Sequence, residues 1–190
     1  KPQDLVSKLC DAAKVNMQDF NAQGIANTFW ALATLKIEQP DLVGQLCEAA
    51  EAKMQDFDSR DIASSLWALV NLKTERPDLV SKLCEAAEAK MQDFNSQDIS
   101  NSLWALATLK IERPDLVRKL CEAAKAKIWD FNSQGIATSL WALATLKVER
   151  PDLVSKLCEA AEANMHHFKA QAISSSFWAL ATFKLKPQDL

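Results

Sequence analysis

The sequence predicts an all-α fold, an α-solenoid of five helical-hairpin repeats, and three observations carry that expectation. Tryptophans stand at Trp30, Trp67, Trp104, Trp141 and Trp178, each 37 residues from the last, and Pro40, Pro77, Pro114 and Pro151 keep the same spacing. Within each period apolar residues recur at three- and four-residue steps in two separate runs, the pattern of two amphipathic helices. Only a short polar link joins the two runs, which makes them an antiparallel hairpin. A hairpin of this size cannot bury its apolar faces alone, so stacked neighbours must complete the core. The units fall at residues 3–39, 40–76, 77–113, 114–150 and 151–187, a single repeat domain over residues 1–190, and the opening Lys1–Leu5 string returns at Lys186–Leu190.

The third unit shows how each element arises. Pro77 and Asp78 open the first helix, since proline suits the first helical position and an acid suits the positive end of the helix dipole. Leu79, Val80, Leu83, Cys84, Ala87 and Met91 share one side and Lys82, Glu85 and Glu88 take the other, which carries the helix to about Met91. The pattern breaks over residues 92–96, where Asn95 or Ser96 caps a second helix. Ile99, Leu103, Leu106 and Leu109 then form its stripe with Trp104 beside them, so the tryptophans are expected in the core; the helix ends near Lys110. Ten such helices form an extended surface on which every repeat presents equivalent positions. The first and last units look like the middle ones, although solenoids usually end in polar caps. A fragment, a designed consensus array or part of an assembly is expected, with end-to-end self-association through the uncapped terminal repeats.

Bulk properties narrow the function classes. No apolar stretch approaches the roughly 20 residues needed to cross a bilayer, so no membrane span is expected. The first residues lack the zones of a secretion signal or a transit peptide, which places any targeting segment outside this sequence. A net charge of −3 will not draw the molecule onto a polyanion, so nucleic-acid binding would need a local basic row. Cys10, Cys47, Cys84, Cys121 and Cys158 occupy one register position. Stacked equivalent helices lie about 8–10 Å apart, too far for disulfides, so these are expected to be buried thiols in a reducing intracellular compartment. Trp129 and the pair His166–His167 break the pattern in turns. Trp129 is expected to be a partly buried turn residue, and the histidines lack a recurring third ligand. No glycine-rich phosphate loop or Cys/His pair is present, so neither catalysis nor a cofactor or metal is expected.

Differences between units point to the chemistry. The third and fourth units differ at 8 of 37 positions, and three of these, Asp98/Gly135, Ser100/Ala137 and Asn101/Thr138, cluster in the opening turns of the second helix. One register position reads Asn27, Ser64, Asn101, Thr138, Ser175; the position three before it reads Gly24, Asp61, Asp98, Gly135, Ala172. Residues three apart share a helix face. Small polar pairs, one per repeat, are what a modular base reader needs, as in helical-repeat proteins that read RNA one base per repeat. The alternative is that Asn and Ser favour helix openings for capping and vary freely on a solvated face. Glycine inside a helix costs up to about 1 kcal/mol, so Gly24 and Gly135 mark either close approach of a ligand or simple tolerance. Lys36, Lys73, Lys110, Lys147 and Lys184 each follow a second helix and form a candidate row for phosphate contacts, although the helix dipole alone favours a cation there. A second basic row, Lys8, Lys82, Lys119 and Lys156, runs beside Glu48, Glu85, Glu122 and Glu159 and reads as an ion-paired solvated face.

The second-helix strings, Gln23-Gly24-Ile25-Ala26-Asn27-Thr28-Phe29-Trp30-Ala31-Leu32-Ala33 and Gln97-Asp98-Ile99-Ser100-Asn101-Ser102-Leu103-Trp104-Ala105-Leu106-Ala107, resemble the octotricopeptide repeat signature. The likeness extends over all five units. Each unit is one residue shorter than is usual in that family and matches the related heptatricopeptide repeats in length. The resemblance implies sequence-selective binding of single-stranded RNA, about one nucleotide per repeat, in organellar (chloroplast or mitochondrial) or bacterial post-transcriptional regulation. A protein-interaction scaffold gripping a peptide or helix is the alternative, which the acidic net charge favours.

Overall fold

The computed structural model describes residues 2–184, and the Lys186–Leu190 string and the end of the fifth unit (185–187) lie outside them. Among the described residues there are ten α-helices: α1 (Pro2–Val15), α2 (Ala22–Leu35), α3 (Pro40–Ala52), α4 (Ser59–Asn71), α5 (Pro77–Ala89), α6 (Ser96–Leu109), α7 (Pro114–Ala126), α8 (Ser133–Thr145), α9 (Pro151–Ala163) and α10 (Ala170–Thr182). The described residues contain no strand. The chain groups into two compact units, Lys1–Lys90 and Met91–Leu190. In the first, α2 packs along α4 while α3 touches α1 and α5; in the second, α8 lies against both α6 and α10, and α7 touches α9. Each unit is a stack of helices in the repeat-solenoid manner, the all-α class expected.

In both units the even-numbered helices pack on one another far more extensively than the odd-numbered ones do. Side-chain size explains this, because interaxial distance follows the residues at the contact. Ala68, Ala105, Ala142, Ser65, Ser102 and Ser139 are all fully buried on even helices. The hydroxyls of the three serines have no hydrogen-bond partner. Their small volume, not their polarity, suits the position. Leu79, Leu83, Cys84, Phe94, Ile99, Leu103 and Leu106 are likewise fully closed to solvent.

The odd helices stop earlier than their apolar pattern suggests. α5 ends at Ala89, and Met91–Asp93 is a separate 3-10 turn rather than a continuation of the helix. Equivalent turns follow at Met54–Asp56 and Ile128–Asp130. The cause sits just downstream: Phe57 and Phe94 are fully buried and Phe131 is 3% exposed. Phe57 is extended, φ −68° and ψ 126°, as it turns the chain into the next helix. The following residue then caps that helix, Asn95 accepting hydrogen bonds from the Gln97 and Asp98 amides at 2.9 Å each.

Lysines at the ends of odd helices tie each repeat to the one before. The Lys53 ammonium donates to the carbonyls of Gln18 and Phe20, Lys90 to those of Gln55 and Phe57, and Lys127 to those of Gln92 and Phe94. A charged donor with two carbonyl acceptors is among the stronger hydrogen-bonding arrangements available. In the fifth repeat Asn164 occupies this position, and its side-chain amide donates to the Ala160 carbonyl of its own helix at 2.9 Å.

Candidate functional site

The open face of each even helix is defined by a repeating set of side chains. On α6, Gln97, Asn101, Trp104 and Thr108 follow one another at steps of four, three and four, so they form one stripe. Gln97 and Thr108 are exposed and Asn101 and Trp104 half-buried, whereas Leu103, Ala105 and Leu106 between them are closed. The same stripe recurs on α2, where Asn27 is exposed, and on α4, α8 and α10, where Ser64, Thr138 and Ser175 are half-buried. The expected variable register therefore lies on an accessible surface in every repeat.

The position three residues earlier behaves differently. Asp61 and Asp98 are each only 4% exposed, and Ala172 is 2% exposed. The Asp61 carboxylate accepts from the Asp58 amide at 3.3 Å and that of Asp98 from the Asn95 amide at 3.1 Å, completing capping boxes at the starts of α4 and α6. Burial pushes the Asp61 carboxyl upward, opposed by the Asp58 amide. These aspartates serve their own helix ends. A base edge could reach them only if the caps opened. Gly24 and Gly135 are half-buried. A Cβ at Gly24 would lie 3.1 Å from Asn21 Oδ1, and one at Gly135 would lie 3.3 Å from Phe131 Cδ1. The room they provide is thus filled by the cap and the turn phenylalanine of their own repeat. Of each predicted pair, the second member faces outward and the first belongs mainly to the helix start.

In the second unit, two repeats converge on a shallow cleft of about 90 Å³ lined by Ser96, Gln97, Ser100, Asn101, Gln134, Gly135 and Thr138, among others. That volume suits the edge of a base or a few waters. Gln134 donates to the Thr138 hydroxyl at 3.3 Å, and Ser100 donates to the Gln97 carbonyl at 3.0 Å. Amide and hydroxyl groups here can present both donors and acceptors to a ligand.

The lysine row is conformationally unusual. Lys36, Lys73, Lys110, Lys147 and Lys184 have φ between 52° and 57°, and among the described residues they are the positive-φ non-glycine positions. Four of them close Schellman-type ends: at α6 the Ile111 amide bonds the Leu106 carbonyl at 3.0 Å and the Lys110 amide that of Ala107 at 3.3 Å. Glycine is the usual occupant of this left-handed position because it has no Cβ to clash. Lysine here is therefore held at a steric cost, with every one of the five side chains exposed. In the first unit, Lys36 and Lys73 border a groove of about 790 Å³ that Asn71 and Arg76 also line.

Several expectations need correction. The repeat tryptophans are not core residues: Trp30 is 51% and Trp178 48% exposed, and Trp67, Trp104 and Trp141 are half-buried. Placing the indole three residues after Asn101 turns it toward the stripe rather than into the hairpin. Trp129 is 65% exposed rather than partly buried. Sequence reasoning also passed over the Gln23, Arg60, Gln97, Gln134, Gln171 register, although its four-residue step from the Asn/Ser/Thr position signals a shared face. Four of the five thiols are buried and Cys158 is half-buried. Burial pushes Cys47 and Cys121 up to about 11, so they stay protonated at neutral pH. On the odd helices, Glu51 bonds Lys82 at 3.0 Å and Arg76 at 3.2 Å, and Arg150 bonds Glu122 at 2.8 Å. That side carries ion pairs, but Lys82 takes Glu51 of the preceding repeat and Glu122 takes Arg150, not the partners the sequence suggested. The His166 and His167 rings lie 3.9 Å apart. Among the described residues, no group of three or more His, Cys, Asp or Glu side chains could hold a metal ion. No described helix is long and apolar enough to cross a membrane.

The model of a family described as RNA-editing substrate-binding complex 6 protein matches residues 1–127. A shorter match, to a family described as a protein of unknown function, spans residues 120–140. No curated protein matches the sequence significantly.

Proposed function

Because the chain belongs to the RNA-editing substrate-binding complex 6 protein family, we propose that it binds single-stranded RNA through the open face of its even helices, with about one nucleotide per repeat. The observation that carries this reading is the register Asn27, Ser64, Asn101, Thr138, Ser175. It combines solvent access, hydrogen-bonding capacity and variation between otherwise near-identical units, and it stands beside the indole on the open stripe. Asn, Ser and Thr present different donor and acceptor sets to a base edge. Lys36, Lys73, Lys110, Lys147 and Lys184 contact the phosphates, and their retention in a conformation that favours glycine supports a role outside helix capping. The likeness of the second-helix strings to octotricopeptide repeats adds sequence selectivity and post-transcriptional regulation in a chloroplast or mitochondrion. In this reading the protein is a binding module without catalysis of its own, and its complex partners act on the RNA.

Selection from a randomised single-stranded RNA pool tests the proposal, followed by binding of the enriched sequence at two salt concentrations. A short enriched motif with salt-sensitive affinity is the expected result. Absence of enrichment, with binding of a helical peptide instead, would favour a protein scaffold.

A further inference from the structure

We propose that the tryptophans of the even helices are stacking platforms, each taking the face of one unpaired base beside the small polar residue that meets its edge. The inference rests on the RNA-binding reading above. Its first support is exposure: an indole serving only the core would be closed like its neighbours Leu103 and Leu106, yet Trp67, Trp104 and Trp141 of the inner repeats are only half-buried. Its second is placement. Trp104 follows Asn101 by three residues, a rise of about 4.5 Å on one helix face. Edge reader and ring platform thus stand side by side, at the scale of one base. The third support is the spacing of adjacent rings. Trp141 and Trp178 have centroids 6.3 Å apart with planes tilted by 35°. That separation is within the range of an aromatic pair, so the indoles of these adjacent repeats form one continuous aromatic surface on which successive bases can stack.

The chemistry divides cleanly between the two residue types. Every base has an aromatic face, so stacking on Trp104 supplies affinity without regard to sequence. Asn101 then supplies the discrimination. The same arrangement explains why the indole position stays constant from unit to unit while the residue three before it varies.

The test uses the full chain carrying Trp129→Phe, so that every remaining indole belongs to the even-helix register. Random-sequence single-stranded RNA is titrated into this protein and into Trp104→Leu, Trp104→Phe and Trp141→Leu made in it. Indole emission should be quenched in step with binding. Each leucine variant should bind about 5- to 100-fold more weakly, Trp104→Phe should retain most of the affinity, and base preference at the position should persist. Circular dichroism checks that each variant is folded, and the quenching of the parent does not depend on any variant's stability. RNA that binds tightly with emission unchanged, and equally well to the leucine variants, would overturn the platform while leaving RNA binding intact. No RNA binding at all would overturn both.

Discussion

Replacing Lys110 separates the two roles assigned to the lysine row. Its φ of 53° places the Cβ against the following carbonyl, at a steric cost of about 1–2 kcal/mol for any residue but glycine. Lys110→Ala and Lys110→Gly both remove the charge, so their difference isolates this strain. Glycine's greater freedom in the unfolded chain returns about 0.5–1 kcal/mol, leaving Lys110→Gly more stable than Lys110→Ala by about 1 kcal/mol. In a protein of this length that corresponds to about 2–4 °C in thermal midpoint. The charge is read separately, from the slope of log affinity against log salt for RNA. Each lost phosphate contact lowers that slope by about 0.7 for a single strand, so both variants should lose the same amount and Lys110→Arg should lose none. Equal stability of the alanine and glycine variants would refute the strain argument. An unchanged salt slope would refute the phosphate contact, whatever the stability did.

Three further perturbations follow from the structure. Lys90→Met removes a charged donor from the carbonyls of Gln55 and Phe57 and should cost about 1–3 kcal/mol in urea unfolding. Lys169→Asn supplies the side-chain cap that α10 lacks and should stabilise by about 1 kcal/mol, read as a raised thermal midpoint. The Lys82 ammonium beside Glu51, with Arg76, holds its carboxyl below the ordinary value of 4.5. A lowered carboxyl stabilises the folded state above the ordinary value, and that contribution disappears as pH falls through the folded one. Burial raises Asp61, whose contribution therefore runs in the opposite direction. The urea midpoint should thus decline less steeply between pH 5 and about pH 3 in Glu51→Gln than in the parent, and an identical decline would contradict the pairing.

Much of this architecture is legible in the residues because it rests on short-range rules. Period, hairpin pairing, the proline starts of odd helices and the burial of four of the five cysteines all follow from spacing and local propensity. Features set by contacts between repeats are not. Helix α5 ends at Ala89, before Met91, because a buried Phe94 draws the chain away, and apolar spacing alone cannot see that pull. Asp98 reads as a surface residue by type, yet its carboxylate turns back onto the Asn95 amide. The Asn-x-x-Asp spacing that makes a capping box was present in the string, and the same acid three residues before Asn101 suggested a reading pair instead. Trp104 looks like core by hydropathy, and only its three-residue step from Asn101 discloses the shared face. The lysines look like dipole partners until their left-handed backbone is known, because no residue-type rule places lysine there. The chain belongs to the RNA-editing substrate-binding complex 6 protein family, which the octotricopeptide likeness of its second-helix strings did not identify.

The most direct test of the central claim is a base-preference profile of Asn101→Thr, which gives the third repeat the reader of the fourth while leaving the Asp98 cap in place. Binding to an RNA panel varied one position at a time should show altered preference at one nucleotide and unchanged preference at the rest. A uniform loss of affinity across the panel, with every preference retained, would show that Asn101 supports the helix and does not read the base.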